Sequence, residues 1–265
     1  MVFGCGCAAA RIDRMTTTSP QSGILEVIAC SEADAVAAAD GGADRLEVIS
    51  HYEYGGLTPP LELVRRIAER VRVPLRVMVR QTEWFVVGNR GEIEELCAEA
   101  RAFSEIGVDG IVIGFLQNGP GGDCRIDHRM LERVLGCAPN IKATFHRAFE
   151  ELTDPSSAIA ELKRQPQIDR ILTSGGSDSW AGKLDRLAAW QRVATPEIEL
   201  VIGGGTDEET IRLLKPAGIR EFHIGRAVRA GMRTDGPILI ERVRALAKLV
   251  HGTISDTTDS TPQPS

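Results

Sequence analysis

Aromatic residues are scarce in this chain, at 5% of 265 residues. The missing patterns exclude several classes of protein. No run approaches the roughly 18 consecutive apolar residues of a membrane span. No basic cluster exists and the net charge is −6, so a nucleic-acid partner is not expected. The N-terminus has no basic stretch ahead of its small apolar residues, unlike a secretory signal. There is no C-x-x-C, no H-x-x-x-H and no nucleophile elbow. The six cysteines are irregularly spaced, which argues against a disulfide framework and for a reducing cytoplasm. No G-x-G-x-x-G follows the first predicted strand, which disfavours an open dinucleotide-binding sheet.

What remains is 43% hydrophobic and 26% charged, ordinary for a soluble chain with a sizeable core. Residues 1–22 and 251–265 are polar and small, and both are expected to be disordered. Between them, 23–250 alternates short β-branched runs with longer helical stretches. The predicted strands are 24–30, 45–50, 75–80, 110–114, 142–146, 170–173, 199–202 and 221–224. Each is followed by a helical pattern. Eight βα units in about 230 residues predict an α/β fold, a single (β/α)8 TIM-type barrel.

Alternate strand residues of a barrel face the lumen. Parity places Glu26, Glu47, Arg76, Arg80, His146 and His223 there, with Glu221 on the face of His223. Unpaired charge in a core is costly, so a scaffold in which Glu26 and Glu47 pair with Arg76 is one expectation. Barrel active sites assemble at strand C-termini. Arg80, His146, Arg147, Ser174 and His223 lie there, and His146 is the expected general acid/base. Lys142 opens a strand at the opposite end, the wrong place for a Schiff-base lysine.

The late loops carry a second signal. Gly203-Gly204-Gly205-Thr206 precedes a helix, and Gly225-Arg226 follows the last strand. Together with Ser174-Gly175 they could hold an anion. The three glycines equally suit a tight turn. His51, Glu53 and Tyr54 could reach the mouth. Thr58-Pro59 reads as a helix N-cap, and Trp84-Phe85 as a lid or rim packing. Cys30, ending the first strand, is the candidate metal-binding thiolate. Cys5-Gly6-Cys7 has two-thiolate spacing, although chance accounts for it as well.

Several phrases, in order over about 24–230, resemble the CutC family of copper homeostasis proteins. They are Leu25-Glu26-Val27, Gly42-Ala43-Asp44-Arg45-Leu46-Glu47, Gly55-Gly56-Leu57-Thr58-Pro59, Thr144-Phe145-His146-Arg147-Ala148-Phe149, Arg170-Ile171-Leu172-Thr173-Ser174-Gly175, Gly203-Gly204-Gly205 and Glu221-Phe222-His223. The resemblance implies a TIM-type barrel, a cytoplasmic location and copper as the candidate bound ion. Cysteines proposed as copper ligands in the family align with Ile28 and Ile49 here. Copper(I) prefers thiolates, so the copper expectation is weakened and rests on Cys30.

Two other functions stay open at this stage. One is an isomerase- or lyase-type enzyme for a small phosphorylated or carboxylated metabolite. In it Arg80 and Arg147 stabilise negative charge, Glu26 and Glu47 orient the cations, and Gly203–Gly205 and Arg226 hold the anion. The other is a non-catalytic ligand-binding barrel. A small-molecule or metal-ion ligand is the expected partner, and a homo-oligomer is open.

Overall fold

A computed structural model of the chain describes residues 23–252. The expected tail 1–22, with Cys5 and Cys7, and residues 253–265 of the second expected tail lie outside the described residues; His251, placed by expectation in that second tail, ends the last helix instead.

The elements run β1 (Ile24–Ala29), α1 (Glu32–Gly41), β2 (Arg45–Val48), α2 (Leu61–Arg70), β3 (Leu75–Met78), α3 (Arg90–Ile106), β4 (Gly110–Ile113), β5 (Leu116–Asn118), β6 (Cys124–Ile126), α4 (His128–Cys137), β7 (Lys142–Phe145), α5 (Pro155–Leu162), β8 (Ile168–Thr173), α6 (Trp180–Ala194), β9 (Glu199–Ile202), α7 (Glu208–Leu214), β10 (Glu221–Ile224) and α8 (Ile240–His251). Eight strands close into a parallel barrel in the order β1-β10-β9-β8-β7-β4-β3-β2. The fold is the expected (β/α)8 barrel. The short antiparallel hairpin β5–β6 was not foreseen. It lies between β4 and α4 and reads as loop because its two strands have only three residues each.

Helix starts follow from local chemistry. Ser31, Asn89, Asp127, Asp154, Ser179 and Asp207 each accept an amide hydrogen from the first turn of the helix they cap. Thr58 does not behave as expected. Its Oγ1 accepts the Arg80 amide at 2.9 Å and reaches Glu99 at 3.0 Å, while α2 begins later, after Pro60. Thr58 therefore ties two mouth loops together.

Alternation along the strands separates two environments. Leu25, Val27, Leu46, Val48, Val77, Ile111 and Phe145 pack outward against the helices. The inward face carries a buried ionic column. Arg45 bonds Glu26 and, at 2.6 Å, Glu221. Arg170 bonds Glu221 at 2.8 Å and also pairs with Asp169. Arg76 bonds Asp109 at 2.7 Å and Asp169 at 2.9 Å. The expected pairing of Arg76 with Glu26 and Glu47 is thus corrected: Arg76 turns toward Asp109 and Asp169, and Arg45 takes Glu26. Gly110 makes this possible, since a Cβ there would lie 2.7 Å from Nη1 of Arg76 and 2.5 Å from the Lys142 carbonyl oxygen.

Above the column, toward the strand C-termini, Ile28, Ile49, Met78 and Val112 form a separate apolar layer, with Cys30 and Tyr52 packed against it.

Candidate functional site

A cavity of about 440 Å³ opens at the C-terminal end of the strands, where this fold assembles its sites. Ile28, Glu47, Ile49 and His223 lie at its base, with Arg80, Phe85 and His146 on one side. Gly204, Gly205, Gly225 and Arg226 from the late loops complete it, with Arg147.

At the base, β1 and β10 are neighbours, with Glu26 beside His223. Nδ1 of His223 lies 2.7 Å from Oε1 of Glu26. Burial alone would raise the Glu26 carboxyl, but the Arg45 guanidinium and the His223 imidazole hold it well below the usual carboxylate range. An ionised Glu26 accepts, so Nδ1 carries the proton it donates. That leaves Nε2 of His223 facing Oε2 of Glu47 at 3.6 Å. Burial pushes the Glu47 carboxyl up, against the pull of His223. The histidine is itself raised: the two carboxylates outweigh its burial. Oε1 of Glu47 is buried without a hydrogen-bond partner among the described residues.

On the side wall, Phe85 is sandwiched. Its ring lies 4.6 Å from the Arg80 guanidinium carbon and 5.2 Å from the His146 ring centre. The loop aromatics thus divide: Phe85 packs inside, whereas Trp84 is 72% exposed. Arg80 also donates to the carbonyls of Gly56, at 3.4 Å, and Glu83. Its Nε is buried and unpartnered among the described residues.

His146 is 3% exposed. Its Nδ1 accepts the Ala148 amide at 3.2 Å, so the neutral ring carries its proton on Nε2, which has no partner among the described residues. Burial, with Arg80 and Arg147 adding to it, pushes its pKa down to about 3. In that form His146 offers a hydrogen bond from Nε2 at the cavity wall.

Other expected site residues divide between the cavity and its surroundings. Arg147 sits at the rim, paired with Glu150 at 2.8 Å. The amides of Ser174 and Gly175 are engaged internally, with Glu150 and with Oγ1 of Thr173. Neither residue lines the cavity, nor does Gly203, which packs close to Leu172 and His223. The helix after the triple glycine is capped by Asp207 and opens with Glu208 and Glu209, so its start is acidic and does not favour an anion. Glu26 lies beneath the cavity rather than in it. Cys30 packs beside the apolar layer, and burial pushes its thiol up to about 11; it is a protonated thiol at neutral pH, not a ready thiolate.

Sequence reasoning missed three residues. Arg45 shares strand parity with Glu47 and could have been found that way. Arg170, at the start of its predicted strand, carried the same signal. Arg229 lies 2% exposed and joins Asp34 at 2.8 Å to the Ile28 carbonyl at 3.0 Å. It comes from an irregular loop, where no periodicity announces burial.

The model of the CutC family matches residues 24–228, the span that carries all eight strands of the barrel. A family protein CutC from Xylella fastidiosa is 33% identical over 211 residues, 79% of this chain and 77% of the relative. The copper homeostasis protein cutC homolog of Homo sapiens is 32% identical over 215 residues, 81% and 77% of the two chains. Among solved structures, CutC from Streptococcus agalactiae superposes with a TM-score of 0.68 at 23% identity, covering 76% of this chain and 97% of that one. Orotidine 5'-phosphate decarboxylase from Pyrococcus horikoshii gives 0.57 at 12% identity, covering 86% and 100%, a likeness of fold alone. Since the family match takes in every strand of the barrel and both residues of the Glu47–His223 pair, this chain belongs to the CutC family.

Proposed function

We propose that this chain takes part in copper homeostasis, the role for which its human relative is named, and that it acts at the mouth cavity. One observation carries the reading. The cavity base holds Glu47 and His223, a carboxylate and an imidazole that the ionic column does not use up. These are ligand-forming groups at the functional end of the barrel. Copper would be cargo here. Cuprous ion prefers thiolates, and the thiol that packs beside the cavity among the described residues, Cys30, is raised by burial. The donor set suits a divalent ion better. A cytoplasmic location accords with the free thiols of Cys30, Cys97, Cys124 and Cys137, and no helix among the described residues is long and apolar enough to cross a membrane.

The test is cellular. Deleting the gene should alter copper content and growth on graded copper, and wild-type protein should restore both. Identical content and growth with and without the gene would overturn the reading.

A second reading has its own support. Nε of Arg80 and Nε2 of His146 are buried donors without partners among the described residues, both on the cavity wall. They suit a small carboxylated or phosphorylated metabolite, as ligand or as substrate of an isomerase or lyase. Thermal unfolding against a panel of such compounds tests this. A ligand at about 100 times its dissociation constant adds roughly 2.7 kcal/mol.

A further inference from the structure

We propose that Glu47 and Nε2 of His223 form a binding site for a divalent, borderline metal ion, Cu(II) or Zn(II), rather than for Cu(I). Glu26 positions the histidine and is not itself a ligand.

Glu26, Glu47 and His223 are each buried, and each offers a ligand atom within 4.8 Å of the other two. Within that group the hydrogen bonding assigns roles. Glu26 is saturated from two sides, by Arg45 and by Nδ1 of His223. This is the carboxylate–histidine arrangement that fixes the tautomer of a metal-binding imidazole and raises its basicity. The free nitrogen, Nε2, then lies 3.6 Å from Oε2 of Glu47. Two ligands each about 2.05 Å from a tetrahedral ion are about 3.3 Å apart, so a small adjustment would let both bind one ion. The remaining coordination positions would face the cavity, open to water or to an anionic ligand.

A second observation is independent of spacing. Oε1 of Glu47 is buried and has no partner among the described residues, although its carboxyl lines the cavity. A buried carboxylate oxygen without a partner is costly and calls for a counterpart.

Charge points the same way. The barrel's inward face brings together the carboxyl groups of Glu26, Glu47, Asp109, Asp169 and Glu221 with the guanidiniums of Arg45, Arg76 and Arg170 and the His223 imidazole. Among these five carboxyl groups Glu47 alone has no ion pair with a guanidinium.

Donor chemistry selects the ion. One imidazole and one carboxylate suit Zn(II) and Cu(II), whereas Cu(I) favours thiolates, and the apolar layer beside the pair is built by Ile28 and Ile49.

This inference rests on the reading of the cavity as a metal-handling site, and its test is separable from the cellular one. The full chain carrying Cys5→Ser and Cys7→Ser, which removes the thiol pair outside the described residues, is titrated anaerobically with Co(II), Zn(II), Cu(II) and Cu(I). The expected result is one equivalent of divalent ion bound, a raised unfolding temperature, and a Co(II) spectrum with visible ligand-field bands and no sulfur charge-transfer band. Glu47→Gln and His223→Gln should weaken binding at least tenfold, Glu26→Gln by about 10–100-fold, and Cys30→Ser not at all.

A sulfur charge-transfer band, binding lost in Cys30→Ser, or no stoichiometric divalent binding by this protein would each overturn the inference. These readouts need no folded Glu47 variant. Should divalent binding fail while the gene deletion still disturbs cellular copper, the site assignment falls and the copper reading stands. Binding as expected with no cellular copper effect would give the reverse.

Discussion

Nδ1 of His223 lies 2.7 Å from Oε1 of Glu26, across 197 residues of sequence. That contact exists because β1 and β10 close the barrel as parallel neighbours, with Glu26 and His223 in register. It joins the architectural lower lumen to the cavity above: Glu26 is held from below by Arg45 and in turn orients the histidine at the cavity base.

The lower half of this relay should be structural. Arg45 is the partner of both Glu26 and Glu221. Replacing it with methionine preserves bulk but leaves two buried carboxylates short of a counter-charge. Breaking buried pairs from one side typically costs about 3–5 kcal/mol. Arg45→Met should lower stability by that amount in urea unfolding. A loss under about 1 kcal/mol would show that Arg170, which also reaches Glu221, compensates on its own.

His146 should make the fold sensitive to acid. Burial is the main cause of its depressed pKa, about 3 against an ordinary 6.5. Above pH 6.5 the ring is neutral in both folded and unfolded chains, and its contribution is fully present. As pH falls from 6.5 toward 3, the unfolded chain takes up a proton that the folded chain refuses, so stability is lost. His146→Gln has no such group. Carboxylates titrate in the same range, so the informative quantity is the difference between the two proteins. Denaturant midpoints at pH 7.5 and pH 4.5 should show wild type losing more than the variant. Equal losses would remove His146 from the account.

Gly225 should control access to the cavity. A Cβ at this position would lie 1.6 Å from the Tyr52 hydroxyl oxygen, and both residues line the cavity. Gly225→Ala must displace the ring or the loop. Overpacking of this kind costs about 1–3 kcal/mol, and any cavity ligand should bind at least tenfold more weakly. Unchanged stability and affinity would mean that the Tyr52 ring swings clear without obstructing the mouth.

The barrel was readable because two periodicities coincide: a strand period of two and a helix period of 3.6 alternate eight times, and Gly or Asp phrases mark the junctions. The charged lumen was readable from parity, which placed Glu26, Glu47, Arg76, Arg80, His146 and His223 together. Parity gives the side of the sheet, not the partner across the barrel. The lumen height of Arg76 depends on the stagger of neighbouring strands, and its turn toward Asp109 and Asp169 follows from the space left at Gly110. Protonation was also beyond local sequence. His146 follows a β-strand as any catalytic histidine might; burial beneath distant loops, with Arg80 and Arg147 adding to it, lowers its pKa. Loop residues fared least well. Thr58 had the spacing of a cap, yet its hydroxyl serves the backbone of Arg80, 22 positions away.

Cys30 offers a direct check on the chemistry of the cavity's flank. Its thiol is raised to about 11, first by burial and then by the carboxylates of Asp34, Glu47 and Glu53, with Arg229 pulling the other way. The thiolate is the nucleophile in alkylation. At pH 8 a thiol with a pKa of 11 is ionised to about one part in a thousand, against roughly a tenth for a thiol at 9.0, the ordinary value. Iodoacetamide should therefore modify Cys30 about a hundredfold more slowly in the folded chain than after denaturation, when followed peptide by peptide. Partial burial would slow the reaction too, but its pH profile separates the causes. Simple shielding would lower the rate while the profile still levels off near pH 9, whereas a raised pKa would keep the rate climbing to about pH 11. A profile that levels near 9 would mean that Cys30 supplies thiolate readily, and would return it to the set of possible copper ligands.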